Sequence, residues 1–448
     1  MNIQLSDHFN YRRLIRFVIP SIGMMVFISI YGVVDGLFVS NYVGKTPFAA
    51  LNLIFPFIMV LGAAGFMLGT GGSAYVGKTL GEGKREEANQ YFSFLVYTAI
   101  VMGIVLAILG IVFARPVAVM LGADDTMVDY CVVYARIILA ALPAFMLQNL
   151  FQSFLITAEK PQMGLLVTIA AGVTNMLLDW LFVAVFAWGL SGAALATALS
   201  QCVGGFVPLV YFLVRSRKNK KQETLRLTKT RFYGDVLWKS CSNGVSELLS
   251  NISMSIVSML FNFQLMMVAG ENGIAAYGVI MYVQFVFIAM FIGYSIGTAP
   301  IISFNYGAGN QAELKNLFKK SFVIVTILGI VLTITALLLA GMLSRLFVGY
   351  DETLYDMTVR GFRLCSISFL FCGFGIFGSS LFTALNNGIV SAVISFLRSV
   401  VFQVVAVFVL PFFWGIDGIW ASVALAEFAG MMITFLFIFK LKKRYHYM

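Results

Sequence analysis

The sequence predicts an all-α membrane protein with twelve transmembrane helices in two six-helix lobes. One observation behind this fold class is composition: 60% of the 448 residues are hydrophobic and only 11% are charged, which would leave a soluble globular domain with a very large exposed apolar surface. A second is the length of the apolar runs, which suits helices of about 20 residues and not the short alternating strands of a membrane barrel. A third is an internal repeat.

Twelve apolar runs are long enough to cross a bilayer as helices. They lie near residues 14–39, 48–74, 91–113, 130–157, 163–186, 190–214, 240–268, 274–303, 318–340, 358–384, 389–412 and 416–439.

The repeat relates the two halves of the chain at a constant offset of 226 residues, the difference between positions 81 and 307. Gly81-Glu82-Gly83 recurs as Gly307-Ala308-Gly309, and Trp188-Gly189 recurs as Trp414-Gly415. Each copy holds six spans, so both copies enter the membrane in the same direction, and we expect a pseudo-two-fold axis along the membrane normal. The predicted units are an N-terminal lobe at 1–214, a basic linker at 215–234 and a C-terminal lobe at 235–448.

The distribution of lysine and arginine predicts the topology. If the N-terminus is cytoplasmic, the inside segments hold twenty-three basic residues and the outside segments hold three. The positive-inside rule therefore predicts a multi-pass protein of the plasma membrane with both termini in the cytoplasm. This bias also explains the net charge of +10, so we expect no nucleic-acid partner, and the basic linker should lie near anionic lipid headgroups.

Polar side chains are predicted to converge in the outer half of the N-terminal lobe. Asp35 in the first span, Asp179 in the fifth and Thr197 in the sixth fall at one depth, while Tyr31 and Asn175 each lie one helical turn before an aspartate. Two acids in a low-dielectric site cannot both ionise cheaply, so the pair can hold a proton. The same hard oxygens could instead bind Na⁺, and a static polar core is the structural alternative.

A second charged group is predicted near the midplane of the C-terminal lobe. Glu247, Arg398 and Glu427 fall there, and Arg398 can neutralise one glutamate and leave the other for a cationic substrate. Of the two, we expect Glu427 to affect cationic cargo most. A purely structural arginine–glutamate pair is the alternative. Three further arginines, Arg136, Arg360 and Arg363, lie near the outer ends of the fourth and tenth spans, where snorkelling accounts for them without a mechanism.

The remaining features exclude several functions. The two histidines lie at opposite ends of the chain and no phosphate-binding glycine loop is present, so we expect no enzyme, no resident metal and no cofactor. Pro20 lies fifteen residues before Asp35 in the first span, and the backbone hydrogen bond that proline removes makes it a candidate hinge.

With its two six-span halves and basic inter-repeat loop, the sequence resembles the multidrug and toxic compound extrusion (MATE) family, in the MepA-like and DinF-like bacterial branches. The residues that carry the resemblance are Pro20, Tyr31, Asp35, Asn175, Asp179 and Thr197. The resemblance implies a monomeric secondary antiporter that exports small lipophilic cations in exchange for inward H⁺ or Na⁺ by alternating access. It also implies that the N-lobe residues form the proton or cation site.

One family feature is absent. Glu247 matches a glutamate of NorM-like members, but no acid occurs between Phe362 and Phe396 to match their aspartate in the tenth span. A flippase or exporter of a lipid-linked or other amphipathic metabolite, on the same superfamily fold, is the alternative function. A flippase of this kind should carry more basic residues at mid-depth, where Arg398 stands almost alone.

Overall fold

The computed structural model describes residues 3–218, 224–349 and 351–447, and these residues form helices and turns without a strand. Nine helices are long and apolar enough to span a membrane, and two further spans are pairs of helices that meet at bends of 55° and 47°. One of the nine contains 74 residues and breaks at Gly270, whose φ is 64°. At about 1.5 Å per residue this helix must cross twice, which gives the twelve predicted spans within the described residues.

The twelve spans are numbered α1 to α12. Their bounds are Tyr11–Tyr42 (α1), Lys45–Gly81 (α2), Arg85–Met120 (α3), Asp125–Ala140 with Leu142–Thr157 (α4), Pro161–Asp179 with the π-helical Trp180–Val185 (α5), Gly189–Lys218 (α6), 234–269 (α7), 271–307 (α8), Gln311–Val348 (α9), Glu352–Ser366 with Phe369–Ala384 (α10), Gly388–Phe396 with the π-helical Leu397–Val401, Phe402–Val409 and Pro411–Trp414 (α11), and Ile416–Tyr445 (α12).

Backbones approach closely between α2 and α8, at the end of the bundle where the described chain begins and ends. We call this end the basal face. A Cβ atom at Gly81 would lie 2.0 Å from the Phe304 carbonyl oxygen, and one at Gly307 would lie 2.0 Å from the Lys78 carbonyl oxygen. The contact is reciprocal because Gly81 and Gly307 are equivalent in the repeat. Only glycine permits it, so this part of the seam between the lobes is closed.

The helices form two hydrophobic cores, and each core also includes a segment from outside the transmembrane helices. We call residues 3–10 the N-terminal arm and residues 224–233 the linker arm. Leu5 and Phe9 of the N-terminal arm are fully buried in the core of the C-terminal lobe. Leu225 and Leu227 of the linker arm are buried in the core of the N-terminal lobe. The N-terminal arm therefore crosses the seam, whereas the linker arm packs on the lobe that precedes it in the chain.

The linker prediction needs correction in detail. Helix α6 continues to Lys218, so the predicted linker begins within a helix, and residues 219–223 lie outside the described residues. The linker arm packs on α3: the Arg226 amide donates to Asn89 Oδ1 at 2.8 Å and the Thr228 amide donates to Ser93 Oγ at 2.8 Å. The lobe boundaries themselves stay a prediction.

Helix α1 runs through Pro20 without a break. The role of Pro20 as a hinge therefore stays a prediction about motion and not a feature of the helix as described.

Glu313 of α9 anchors the N-terminal arm. Its carboxylate accepts from the Phe9 amide at 2.9 Å and from Asn316 Nδ2 at 2.8 Å, and it lies 2.6 Å from His8 Nδ1. Lys320 Nζ and Asn316 Nδ2 also donate to the Phe9 carbonyl oxygen, at 2.6 and 2.9 Å. The backbone of the arm is therefore held at one residue by three side chains of the opposite lobe.

We expect Glu313→Gln to loosen the N-terminal arm, because the amide replaces one of two accepting oxygens with a donor. The expected loss is about 1–3 kcal/mol in the free energy of unfolding, measured by thermal unfolding in detergent, with faster proteolysis before Tyr11. Glu87→Gln is the matched control, since Glu87 is the repeat equivalent of Glu313 and is exposed. Equal protease resistance of the two variants would contradict this anchoring role.

Candidate functional site

Helix α1 packs tightly against α5 in the N-terminal lobe, and this packing brings the predicted residues together. A Cβ atom at Gly172 would lie 2.5 Å from Phe27 Cε1 and 2.8 Å from Tyr31 Cδ1. The absence of a side chain at Gly172 therefore lets the face of α1 that carries Tyr31 and Asp35 approach α5. Asp179 ends the regular part of α5, directly before its π-helical turn, an irregularity that is frequent at functional sites.

The two carboxyl groups of this cluster lie side by side. The Asp35 carboxyl is next to the Asp179 carboxyl and the Asn175 amide, and Asn175 Nδ2 donates to Thr197 Oγ1 at 3.4 Å. Asp179 and Asn175 are 0% and 1% exposed. The structure thus brings Asp35, Asn175, Asp179 and Thr197 together as predicted from their depths, with Tyr31 beside Asp35.

Several oxygens of the cluster lack partners. Asp35 Oδ1, both carboxyl oxygens of Asp179 and Asn175 Oδ1 are buried, and none of them has a hydrogen-bond partner among the residues that the structure describes. Buried polar atoms are normally satisfied, so each exception calls for an explanation. A proton shared between the carboxyl groups or a small hard cation would satisfy these oxygens.

Sequence reasoning missed a set of buried polar side chains on α4 and α6 of the same lobe. Gln148, Asn149, Gln152 and Gln201 are buried, and each has a side-chain atom without a partner among the described residues. Gln148 lies beside Tyr31, and Tyr134 of α4 lies near both aspartates. The sequence contains a signal for these residues, because two of the amides lie one helical turn apart in an apolar span. Burying such amides costs free energy unless they face a polar interior.

The predicted charged group of the C-terminal lobe is also assembled. Arg398 Nη1 donates to both Glu427 oxygens, at 3.1 and 3.2 Å, and the two side chains are only 14% and 11% exposed. Glycines make space for the arginine: a Cβ atom at Gly375 would lie 2.5 Å from Arg398 Cδ, and one at Gly430 would lie 2.6 Å from Arg398 Cγ. Glu247 is close enough to interact electrostatically with Arg398, but its side chain forms no ion pair within the described residues.

This pairing changes the expected roles of the two glutamates. From the sequence, Glu427 is predicted to be the acid that affects cationic cargo most. Because Arg398 already neutralises Glu427, Glu247 is the acid of this group that remains without an ion-pair partner in the part of the chain described.

Family comparison identifies the chain. The MatE family model matches residues 20–181 and 248–409, which together exceed half of the sequence. The chain belongs to the MatE family. The two matched segments fall in the two copies of the repeat, and family membership agrees with the predicted multi-pass protein of the plasma membrane and with the expectation that the chain is not an enzyme.

Individual relatives of this MatE chain cover nearly its whole length. The multidrug export protein MepA of Staphylococcus saprophyticus is 23% identical over 435 residues, 97% of this chain and 94% of the relative. MepA of Staphylococcus haemolyticus is 24% identical over 440 residues with the same coverage. A solved outward-facing structure of a multidrug resistance MATE family transporter has a TM-score of 0.89 at 23% identity and covers 96% of each chain. At that identity the structural match establishes the fold of two six-helix lobes.

The two polar clusters of the MatE chain are not copies of each other. At the repeat offset, Arg398 corresponds to Gly172 and Glu427 to Gln201, while Asp179 corresponds to Val405. The lobes share a fold but place their charges at different positions. Their chemical roles therefore differ.

We expect Arg398→Met to destabilise the protein by about 3–5 kcal/mol, because it leaves the buried Glu427 carboxylate without its counter-charge. Arg398→Met combined with Glu427→Gln should recover most of the loss, since no uncompensated charge then remains. Thermal unfolding of the purified variants measures both effects. A double variant no more stable than the single one would show that the pair is not energetically coupled.

Proposed function

We propose that this MatE chain is a secondary active antiporter that exports cationic organic compounds in exchange for inward H⁺ or Na⁺. The observation that carries the proposal is the adjacent pair Asp35 and Asp179, buried together with unpartnered oxygens. Two acids side by side inside a bilayer are expensive unless they bind an ion. A purely structural polar contact would instead resemble Arg398 and Glu427, where opposite charges neutralise each other.

Coupling requires that binding of the ion change the contact between helices. When both carboxyl groups are ionised, α1 and α5 repel each other at this point; a proton or Na⁺ removes that repulsion. For Na⁺, the carboxylates, the Asn175 amide oxygen and the Thr197 hydroxyl would supply hard ligands. Since Asp35 and Asp179 lie on different helices, binding of a proton or Na⁺ at this site changes the packing of α1 against the rest of the lobe. No cofactor enters this mechanism.

Alternating access of the two lobes would carry the cargo across the membrane. The basal seam is closed by the reciprocal contacts at Gly81 and Gly307. With both termini in the cytoplasm, as the positive-inside rule predicts, this state is shut toward the cytoplasm. Transport would then require the seam to open while the two lobes rotate against each other about an axis in the membrane plane.

The charges near the cargo path favour cations. In the midplane group of the C-terminal lobe, Glu247 has no ion-pair partner among the described residues, and Arg398, which could attract an anion, is already paired with Glu427. A pyrophosphate-linked cargo would need free basic residues at this depth. The name of the relatives, multidrug export protein, agrees with small lipophilic substrates. We further propose that the chain acts as a monomer within the lipid bilayer.

The decisive experiment uses proteoliposomes that contain the purified full chain. Transport of a fluorescent lipophilic cation is measured with a pH gradient and a Na⁺ gradient imposed separately. Acceleration by one gradient and not by the other identifies the coupling ion. Indifference to both gradients would reject antiport.

We expect Asp35→Asn to abolish gradient-driven transport while the protein folds and inserts normally, because the amide keeps the shape of the side chain but cannot exchange a proton. Asp179→Asn should act in nearly the same way. Asp129→Asn is the control, since Asp129 is a surface acid with 80% side-chain exposure. Gradient-driven transport by Asp35→Asn at the rate of the Asp129→Asn protein would exclude the N-lobe cluster from coupling.

We expect Glu247→Gln to weaken binding of cationic cargo by about 1–2 kcal/mol, which is about 5- to 30-fold in dissociation constant, with gradient coupling retained. Glu427→Gln should act mainly on stability, because it leaves Arg398 unpaired. Ligand binding to detergent-purified protein, measured alongside thermal unfolding, separates the two effects. A larger loss of binding in Glu427→Gln at unchanged stability would reverse these roles.

A further inference from the structure

A pocket with a volume of about 750 Å³ lies between α10 and α12 at the face opposite the basal face. Asp356, Arg360 and Arg363 recur along one stripe of α10, and Asp417 lies in the first turn of α12. Trp414 stands at the end of α11 and completes the lining. The pocket is separate from both polar clusters described above, and its residues have no part in the proposed transport cycle.

The four charged side chains of this pocket are only partly paired. Arg360 forms an ion pair with Asp417 through Oδ2. Asp417 Oδ1 is buried and has no hydrogen-bond partner within the described residues. Arg363 and Asp356 form no ion pair or hydrogen bond with any residue that the structure describes. The pocket thus offers one free cation, one free anion and one unsatisfied acceptor, at a net charge of zero.

The internal repeat shows that the fold does not require these charges. At the repeat offset, Arg360 corresponds to Tyr134 and Arg363 to Ile137, both of which are uncharged residues of α4 in the N-terminal lobe. Asp417 likewise corresponds to Ser191. The same helix arrangement therefore forms with uncharged residues at these three positions in one lobe and with charged residues at them in the other. Snorkelling explains why arginines are tolerated here, but not why two acids accompany them.

Aromatic side chains indicate the depth of the pocket. Phe412, Phe413 and Trp414 at the end of α11 are 87%, 74% and 61% exposed. Exposed aromatic residues at the ends of transmembrane helices mark the level of lipid headgroups. The pocket opens at that level, beside the rim residue Trp414.

The order of charges along α10 matches the order of groups in a zwitterionic phospholipid. Asp356 lies near the start of α10, and Arg363 lies seven residues further into the membrane, about 10 Å along the helix axis. In such a headgroup the phosphate is next to the glycerol, and the ammonium extends toward water. An anion-binding arginine on the inner side and a carboxylate on the outer side suit this arrangement.

We propose that the pocket binds a phosphoethanolamine group, as it occurs in the headgroup of phosphatidylethanolamine. Arg363 holds the phosphate by charge-assisted hydrogen bonds, which guanidinium geometry favours. The primary ammonium donates to Asp356 and to the unsatisfied Asp417 Oδ1. A quaternary choline ammonium has no N–H to donate, so it leaves that oxygen unsatisfied. The apolar side chains of Leu364 and Ala421 in the lining contact the glycerol and the first carbons of the acyl chains.

The test measures binding of short-chain lipids to the purified full chain in detergent. Dihexanoyl phosphatidylethanolamine should bind about tenfold or more tightly than the choline and glycerol lipids with the same acyl chains, since each of these loses one charge-assisted contact. Soluble O-phosphoethanolamine shows whether the natural ligand is a lipid or the free headgroup. Tighter binding of the short-chain lipid than of O-phosphoethanolamine indicates a membrane lipid, and equal binding of the two indicates the free headgroup. Equal affinity for all three lipids overturns the proposal.

Two variants assign the binding to this pocket. Arg363→Gln and Asp356→Asn should each raise the dissociation constant for dihexanoyl phosphatidylethanolamine about tenfold. Arg115→Gln is the matched control, because Arg115 is a 66% exposed arginine near the same face of the other lobe, and it should leave the constant unchanged. Unaltered affinity in both pocket variants, with thermal unfolding as in the parent protein, overturns the assignment.

Discussion

The cost of placing charge inside a membrane bundle is the constraint on which the rest of this structure depends. Arg398 and Glu427 meet that cost by mutual neutralisation, and Gly375 and Gly430 give the arginine the space to reach its partner. Asp35 and Asp179 cannot neutralise each other, because they carry the same charge, and their buried oxygens lack partners among the described residues. This contrast within one molecule supports the proposal that Arg398 and Glu427 form a structural ion pair and that Asp35 and Asp179 exchange an ion.

Comparison of the two copies of the repeat distinguishes the residues that the shared fold requires from the charged residues that occur in one lobe only. The glycines that bring α2 and α8 together, Gly81 and Gly307, occur at equivalent positions in both copies. The charged positions do not: the site of Arg398 in one lobe is occupied by Gly172 in the other, where the missing side chain admits Tyr31. The same location between two helices thus holds an arginine stem in one lobe and a neighbouring helix face in the other.

Much of this architecture could be predicted from the sequence, because hydrophobic run length and a gapless repeat are strong signals. Depth counting from the span ends also brought Asp35, Asp179 and Thr197 to one level. It could not choose between Glu247 and Glu427 as the partner of Arg398, since that choice depends on helix rotation and on the space left by two glycines. The bends in α4 and α10 and the docking of both arms were missed for a related reason: they depend on contacts between distant residues.

The docked arms also affect how the lobes can be divided. The core of the C-terminal lobe contains Leu5 and Phe9, together with Phe17 from the start of α1. A boundary at residue 214 therefore does not separate two independent hydrophobic cores, although it separates the two copies of the repeat. Opening the basal seam must either remove these side chains from the opposite core or carry the first turns of α1 along with the C-terminal lobe. In the second case α1 would move with one lobe at its basal end and with the other near Asp35, and Pro20 lies between those two parts.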